Sequence, residues 1–118
     1  MKDLAPNIVR QRLLMEGIYA TDVDRAAVEL YLTGIAADLN LRTYGTPIIH
    51  APSGLGKAEN AGFDAFIPLI DSGISLYVWS SAKFFATVLF TCKQFDIEQA
   101  VGYTRAYFRT SALEHRQF

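Results

Sequence analysis

A chain of 118 residues that is 51% hydrophobic, 13% aromatic and 19% charged carries enough apolar material for one packed core, which excludes disorder. Eleven Lys and Arg against twelve Asp and Glu give a net charge of −1 and a pI near 6.1, so no positive field draws the chain to nucleic acid or to an anionic membrane surface. One cysteine, Cys92, and two histidines, His50 and His115, exclude an intramolecular disulfide and a structural zinc site.

The opening residues MKDLAPNIVRQR put charges where a secretory leader is apolar, and no apolar run is long enough to span a bilayer. The expectation is a cytoplasmic protein with a single domain over residues 1–118. Ile8 to Tyr19 reads as a first strand, broken by a bend at Gly17. Thr21-Asp22-Val23-Asp24 has a hydroxyl followed by a carboxylate at capping-box spacing, which predicts a helix starting at Thr21. Val28, Leu32, Ile35 and Leu39 then form one apolar stripe that ends before Asn40 and the Tyr44-Gly45 turn.

Thr46 to Ala51 is a short strand-like run, and Pro52 to Lys57 is a surface loop. That loop lacks the hydroxyl residue after Lys57 that a phosphate-binding loop requires. Three strands are predicted next, Phe63–Ile70, Ile74–Trp79 and Lys83–Cys92, joined by Asp71-Ser72-Gly73 and Ser80-Ser81-Ala82. Such short connections imply antiparallel neighbours. Asp96 caps a second helix, with Ile97, Val101, Thr104 and Phe108 on its apolar face, and the tail Leu113–Phe118 reads as frayed. The fold class is therefore α+β, a two-layer sandwich in which both helices cover one face of an antiparallel sheet. The apolar surplus points to a sheet face used for self-association, hence a homodimer or higher homo-oligomer.

One segment adds chemistry. LIDSGISLYVWSSAKFFATVLFTCKQFD, Leu69 to Asp96, resembles the core of bacterial S-adenosylmethionine decarboxylases. The resemblance places Ser72 on the family's serine that self-cleaves to a pyruvoyl group, and Cys92, within Phe90-Thr91-Cys92, on its catalytic thiol. Trp79 agrees as well. The departures are specific. Asp71 replaces the family's Glu before the serine, Gly73 its following His, Tyr77 the His that assists cleavage, and Asp64 a serine that helps processing. Ser80-Ser81 stands where the family has Pro-Glu, whose carboxylate holds ribose hydroxyls. Self-cleavage needs an attacking hydroxyl, an oxyanion donor and a base, and tyrosine replaces imidazole poorly in base work. The expectation is an uncleaved chain with no cofactor, a pyruvoyl group arising from Ser72 only if the chain self-cleaves.

The catalytic candidates are Ser72, Cys92, Tyr77, Asp64, Asp71 and Glu16, with Trp79, Phe85 and His50 for substrate binding and no metal ligands. Each also has a plain reading: Asp71 and Ser72 as turn residues, Cys92 as a small buried hydrophobe, His50 as a solvated strand end. Asp64 lies between aromatics, so it stands either on a solvent face or in a pocket. Glu16 is carried from the family's use of first-strand acids. Ser72 and Tyr77 have opposite strand parity and share a site only if a bulge intervenes. If these side chains converge, a carboxylate walled by aromatics serves as acid and base near neutrality.

Three functional readings follow. The first is a divergent, uncleaved enzyme of this fold that performs acid/base chemistry on an amine-bearing, amino-acid-like molecule in a specialised biosynthetic pathway, with a Pictet-Spengler-type condensation as one concrete reaction. The second is a pyruvoyl-dependent lyase decarboxylating S-adenosylmethionine or an amino acid. The third is a catalytically dead paralogue that regulates a partner chain.

Overall fold

The computed structural model describes residues 1–118. In chain order it contains β1 (Gln11–Ile18), α1 (Arg25–Asp38), β2 (Ile48–His50), β3 (Gly62–Leu69), β4 (Ser72–Trp79), β5 (Phe84–Thr91), α2 (Ile97–Phe108) and β6 (Ala112–Gln117). Two 3-10 turns, Gly54–Gly56 and Ala58–Asn60, occupy the loop between β2 and β3. All strand pairs are antiparallel, in the order β2-β3-β4-β5-β1-β6.

Strand alternation divides the sheet cleanly. Leu13 and Met15 of β1, Ala65, Ile67 and Leu69 of β3, Ile74, Leu76 and Val78 of β4, and Phe85 and Leu89 of β5 point to the helices and are buried. The stripe Val28, Leu32, Ile35 and Leu39 of α1 lies on them, joined by Ala100, Val101 and Phe108 of α2. Asp96 caps α2 by accepting from the Gln99 amide at 3.0 Å. The two-layer α+β architecture follows from these contacts, with both helices on one face.

Several boundaries differ from the sequence reading. Helix α1 is capped by Asp24, which accepts from the Ala27 amide at 2.8 Å, and not by Thr21. Residues 21–23 are spent carrying the chain from the sheet to the helix layer, and Asp caps at least as well as Thr. β1 runs straight through Gly17. A Cβ there would sit 2.8 Å from the Phe85 ring, so the glycine makes room for that ring to stack on Phe108 at 4.3 Å. The connection between β3 and β4 is Ile70-Asp71, and Ser72 and Gly73 already belong to β4, paired with Leu69 and Pro68. The tail is a strand, not frayed: β6 pairs with β1 from Ile18↔Ala112 to Leu13↔Gln117. It escaped detection because an edge strand needs only its backbone, and Glu114, His115, Arg116 and Gln117 are all exposed.

Between the helices lies an aromatic cluster centred on Tyr31, which is fully buried against Tyr103, Tyr107 and Phe108. Its hydroxyl shares a 2.9 Å hydrogen bond with Thr104. Burial raises its pKa well above the ordinary tyrosine value, outweighing the hydrogen bonds from Thr104 and Thr87 that oppose the shift. Tyr19, Tyr103 and Tyr107 are raised for the same principal reason. A group whose folded pKa lies above its unfolded value gives stability that is complete below the unfolded pKa and is lost as pH rises beyond it. Urea midpoints should therefore be flat up to about pH 10 and fall steadily above it. Tyr31→Phe should flatten that alkaline fall while costing about 1 kcal/mol at neutral pH through the lost Thr104 bond.

Candidate functional site

The β3–β4 turn brings polar groups together where strand alternation ends. Asp71 adopts the left-handed conformation with φ 57°, a region that Asp tolerates better than most side chains. The turn is tied to the segment after α1 by the Ile70 amide, which donates to the Arg42 carbonyl at 3.3 Å. Pairing of Gly73 with Phe90 sets the first residue of β4 beside the last of β5. The Cys92 amide consequently donates to Ser72 Oγ at 2.8 Å, and Cys92 Sγ donates to the Asp71 carbonyl at 3.0 Å. Thr91, fully buried, donates its hydroxyl to the Lys93 carbonyl at 2.8 Å and shapes the chain just past β5.

Two clefts meet at this turn. On the helix side a cleft of about 400 Å³ is bounded by Asn40–Arg42, Leu69–Ser72, Cys92 and Lys93. On the outer sheet face a cleft of about 360 Å³ is bounded by Phe66, Asp71–Gly73, Ser75, Val88 and Phe90. Asp71 and Ser72 border both. Gly73 leaves room for a neighbouring side chain: a Cβ there would run into the Phe66 ring. The ring thus occupies the space that a side chain at position 73 would fill.

The candidates named from sequence fall into two groups. Ser72, Asp71 and Cys92 converge. His50, Asp64, Tyr77, Ala86, Glu16 and Glu114 instead form one cross-strand row over the outer face, through the pairs His50↔Asp64, Asp64↔Tyr77, Tyr77↔Ala86, Glu16↔Ala86 and Glu16↔Glu114. β4 is regular from Ser72 to Trp79, with no bulge, so Tyr77 lies about 16 Å along the strand from Ser72 and on the other face. The convergence of all these groups on one cavity within a protomer is therefore corrected. Asp64 and Glu16 are exposed, so neither carboxylate is enclosed by aromatics. Trp79 packs on Phe84 at 5.3 Å, one row beyond Tyr77. Phe85 is fully buried in the core and cannot line a site.

The aromatic wall is made by Phe66 and Phe90, 41% and 40% exposed, which the sequence reading passed over. Their signal was parity: Val88 and Phe90 alternate with the buried Leu89, which puts them on the face opposite the helices. Arg42 and Lys93 were also missed and belong to no motif. No three His, Cys, Asp or Glu side chains lie close enough to hold a metal ion.

Comparison with known proteins gives two findings. The sequence model of the S-adenosylmethionine decarboxylase family matches residues 16–118. The crystal structure of the adenosylmethionine decarboxylase from Aquifex aeolicus VF5 superposes with a TM-score of 0.72 at 16% identity, covering 94% of this chain and 89% of that one. No curated protein sequence matches the chain.

Gly73→Ala should displace the Phe66 ring from the outer cleft. Because that ring is part-exposed and free to swing outward, the unfolding free energy from urea titration should fall by no more than about 1 kcal/mol. The Phe66 ring resonances in an NMR spectrum should move strongly. Unmoved resonances would show that the ring does not rest on Gly73.

Proposed function

The chain belongs to the S-adenosylmethionine decarboxylase family, and from that premise we propose that it is a divergent, uncleaved enzyme of this fold which performs acid/base chemistry on an amine-bearing, amino-acid-like molecule. The observation that carries this reading is the cluster of Asp71, Ser72 and Cys92 at the meeting of two clefts, with no histidine lining either. The family's pyruvoyl group fits these residues poorly. Ser72 Oγ accepts from the Cys92 amide and the Asp71 carbonyl accepts from the thiol, so a nucleophile and an oxyanion donor are present. The nearest stand-in for the family's histidine, Tyr77, faces the other side of the sheet. With no imidazole placed at Ser72, removal of the α-proton and elimination of the ester lack the family's base.

In the uncleaved chain the outer cleft supplies a flat apolar wall from Phe66 and Phe90, suited to an aromatic side chain. The Asp71 carboxylate stands at its rim, able to take an ammonium and exchange a proton with it. Ser72 and Cys92 supply neutral donors beside it. A Pictet-Spengler-type condensation uses these parts directly. The amine adds to an aldehyde with loss of water, the aromatic ring closes on the resulting iminium, and the carboxylate removes the ring proton. Holding amine and ring in one cleft supplies the proximity such a step needs.

The protomer is further proposed to pair with a second copy through the outer sheet face. Beyond the cleft walled by Phe66 and Phe90, Tyr77, Ile48 and Ile18 leave apolar surface exposed there. Four eight-residue strands with the shorter β2 and β6 beside them make a face of roughly 650 Å², against the roughly 800 Å² per partner of a stable interface. Both charge signs stand on the β1–β6 side of the face, Arg116 with Glu16 and Glu114, so a two-fold partner meets complementary groups there. Sedimentation should give a dimer at micromolar concentration and a monomer for Val88→Asp, whereas a monomeric parent chain would refute the pairing.

Intact mass of the purified protein should equal that of the whole chain. Fragments divided between Asp71 and Ser72, the new terminus blocked, would instead establish the pyruvoyl decarboxylase. Asp71→Asn should remove turnover of an aromatic amine with an aldehyde and leave the thermal midpoint within a few degrees, since Asp71 is exposed. Full activity in that variant would sink the acid/base assignment.

A further inference from the structure

We infer that the helix-side cleft is an anion subsite in which Arg42 and Lys93 hold a carboxylate beside Ser72. The inference deepens the reading of the site as one for an amino-acid-like molecule and rests on it for the source of that carboxylate. Three elements build the cleft. The segment after α1 contributes Asn40, in the left-handed conformation, and Arg42; the β3–β4 turn contributes Asp71 and Ser72; the end of β5 contributes Cys92 and Lys93.

The segment carrying Arg42 is held at both ends. The Leu41 amide donates to the Ala36 carbonyl at 2.8 Å, and the Arg42 carbonyl accepts from Ile70 at 3.3 Å. Lys93 Nζ reaches across to donate to the Asn40 carbonyl at 2.9 Å, which places its charge at the cleft wall and not in open solvent. Neither cation is paired with a carboxylate, the single salt bridge of the chain being Arg10 with Asp3. The lining thus carries two cations with no carboxylate partner, Arg42 and Lys93, and one acidic residue, Asp71, beside Asn40, Ser72 and Cys92.

A solvated Arg or Lys is ordinary on a surface, and each alone signifies little. What distinguishes this pair is a shared concave wall with a net positive charge, next to the groups placed in the reaction. The guanidinium fork matches a planar carboxylate in two parallel hydrogen bonds, which a single ammonium cannot do. An α-amino acid has its ammonium and carboxylate on one carbon. Asp71, which borders both clefts, takes the ammonium while Arg42 and Lys93 take the carboxylate. The side chain is then left to the Phe66 and Phe90 wall on the outer face.

The test needs no turnover. In an ¹H–¹⁵N titration of the intact protein with sodium acetate at constant ionic strength, the amides of Arg42, Asp71, Ser72, Cys92 and Lys93 should shift together and saturate, with millimolar affinity. Arg42→Gln should weaken binding about tenfold, as should Lys93→Gln, which keeps an N–H for the Asn40 carbonyl. Arg42→Lys should restore part of the loss. Inorganic phosphate serves as the competing probe: saturation by phosphate with none by acetate would overturn the carboxylate assignment. Shifts that never saturate, or an affinity unchanged in the Arg42→Gln/Lys93→Gln double variant, would overturn the subsite itself. An acetate result is independent of whether Asp71→Asn loses turnover, so failure here and failure of the acid/base reading are told apart.

Discussion

Everything in this molecule depends on an antiparallel sheet covered by helices on one side only. Because successive side chains alternate faces, each long strand must put one apolar set under α1 and α2 and a second set in the open. β4 and β5 obey this without a bulge over eight residues each. Ile74, Leu76 and Val78 are sealed in the core, while Gly73, Ser75, Tyr77 and Trp79 line the other face. The same rule that secures the core separates Tyr77 from Ser72. It also leaves Phe66 and Phe90 exposed, which a fully covered sheet would not.

Chemistry collects where the alternation stops. At a strand end the backbone no longer pairs on both sides, and its polar groups must find other partners. Asp71 turns left-handed and offers its carbonyl to the Cys92 thiol, and the Cys92 amide, beyond the last ladder pair, goes to Ser72 Oγ. Each bond contributes about 1 kcal/mol net, so together they fix the geometry without dominating the stability. Rigidity here comes from the strands behind the site, and access comes from the turn in front of it.

The fold was legible in the sequence wherever burial wrote a period into it. Val28, Leu32, Ile35 and Leu39 declared α1, Asp96 declared the start of α2, and the short connections declared antiparallel strands. Features that do not rest on side-chain burial were not legible. β6 is held by backbone pairing with β1 and carries Glu114, His115 and Arg116 outward, so no apolar pattern marked it. Gly17 looked like a bend because a glycine's reason is often another residue, here the Phe85 ring. In the site, the trio Asp71, Ser72 and Cys92 was found through the family resemblance of the segment Leu69 to Asp96. Phe85 was misplaced for want of a strand register, and Arg42 was invisible because its partners lie across the fold.

The exchange at Gly73 and Phe66 carries the argument about divergence furthest. Where the resemblance sets a histidine, this chain has a glycine, and the room so gained is filled by the ring of a residue on the neighbouring strand. A titratable, hydrated group beside the serine is thereby replaced by an apolar face. The glycine thus lets the Phe66 ring lie next to Ser72, where the resemblance sets an imidazole. Charges and dipoles at the cleft rim act more strongly on a bound molecule when water is excluded. Phe66 and Phe90 present such an apolar wall at the outer cleft. The glycine at position 73 and the aromatic surface of Phe66 are thus one structural feature, since the ring takes the space that a side chain there would fill.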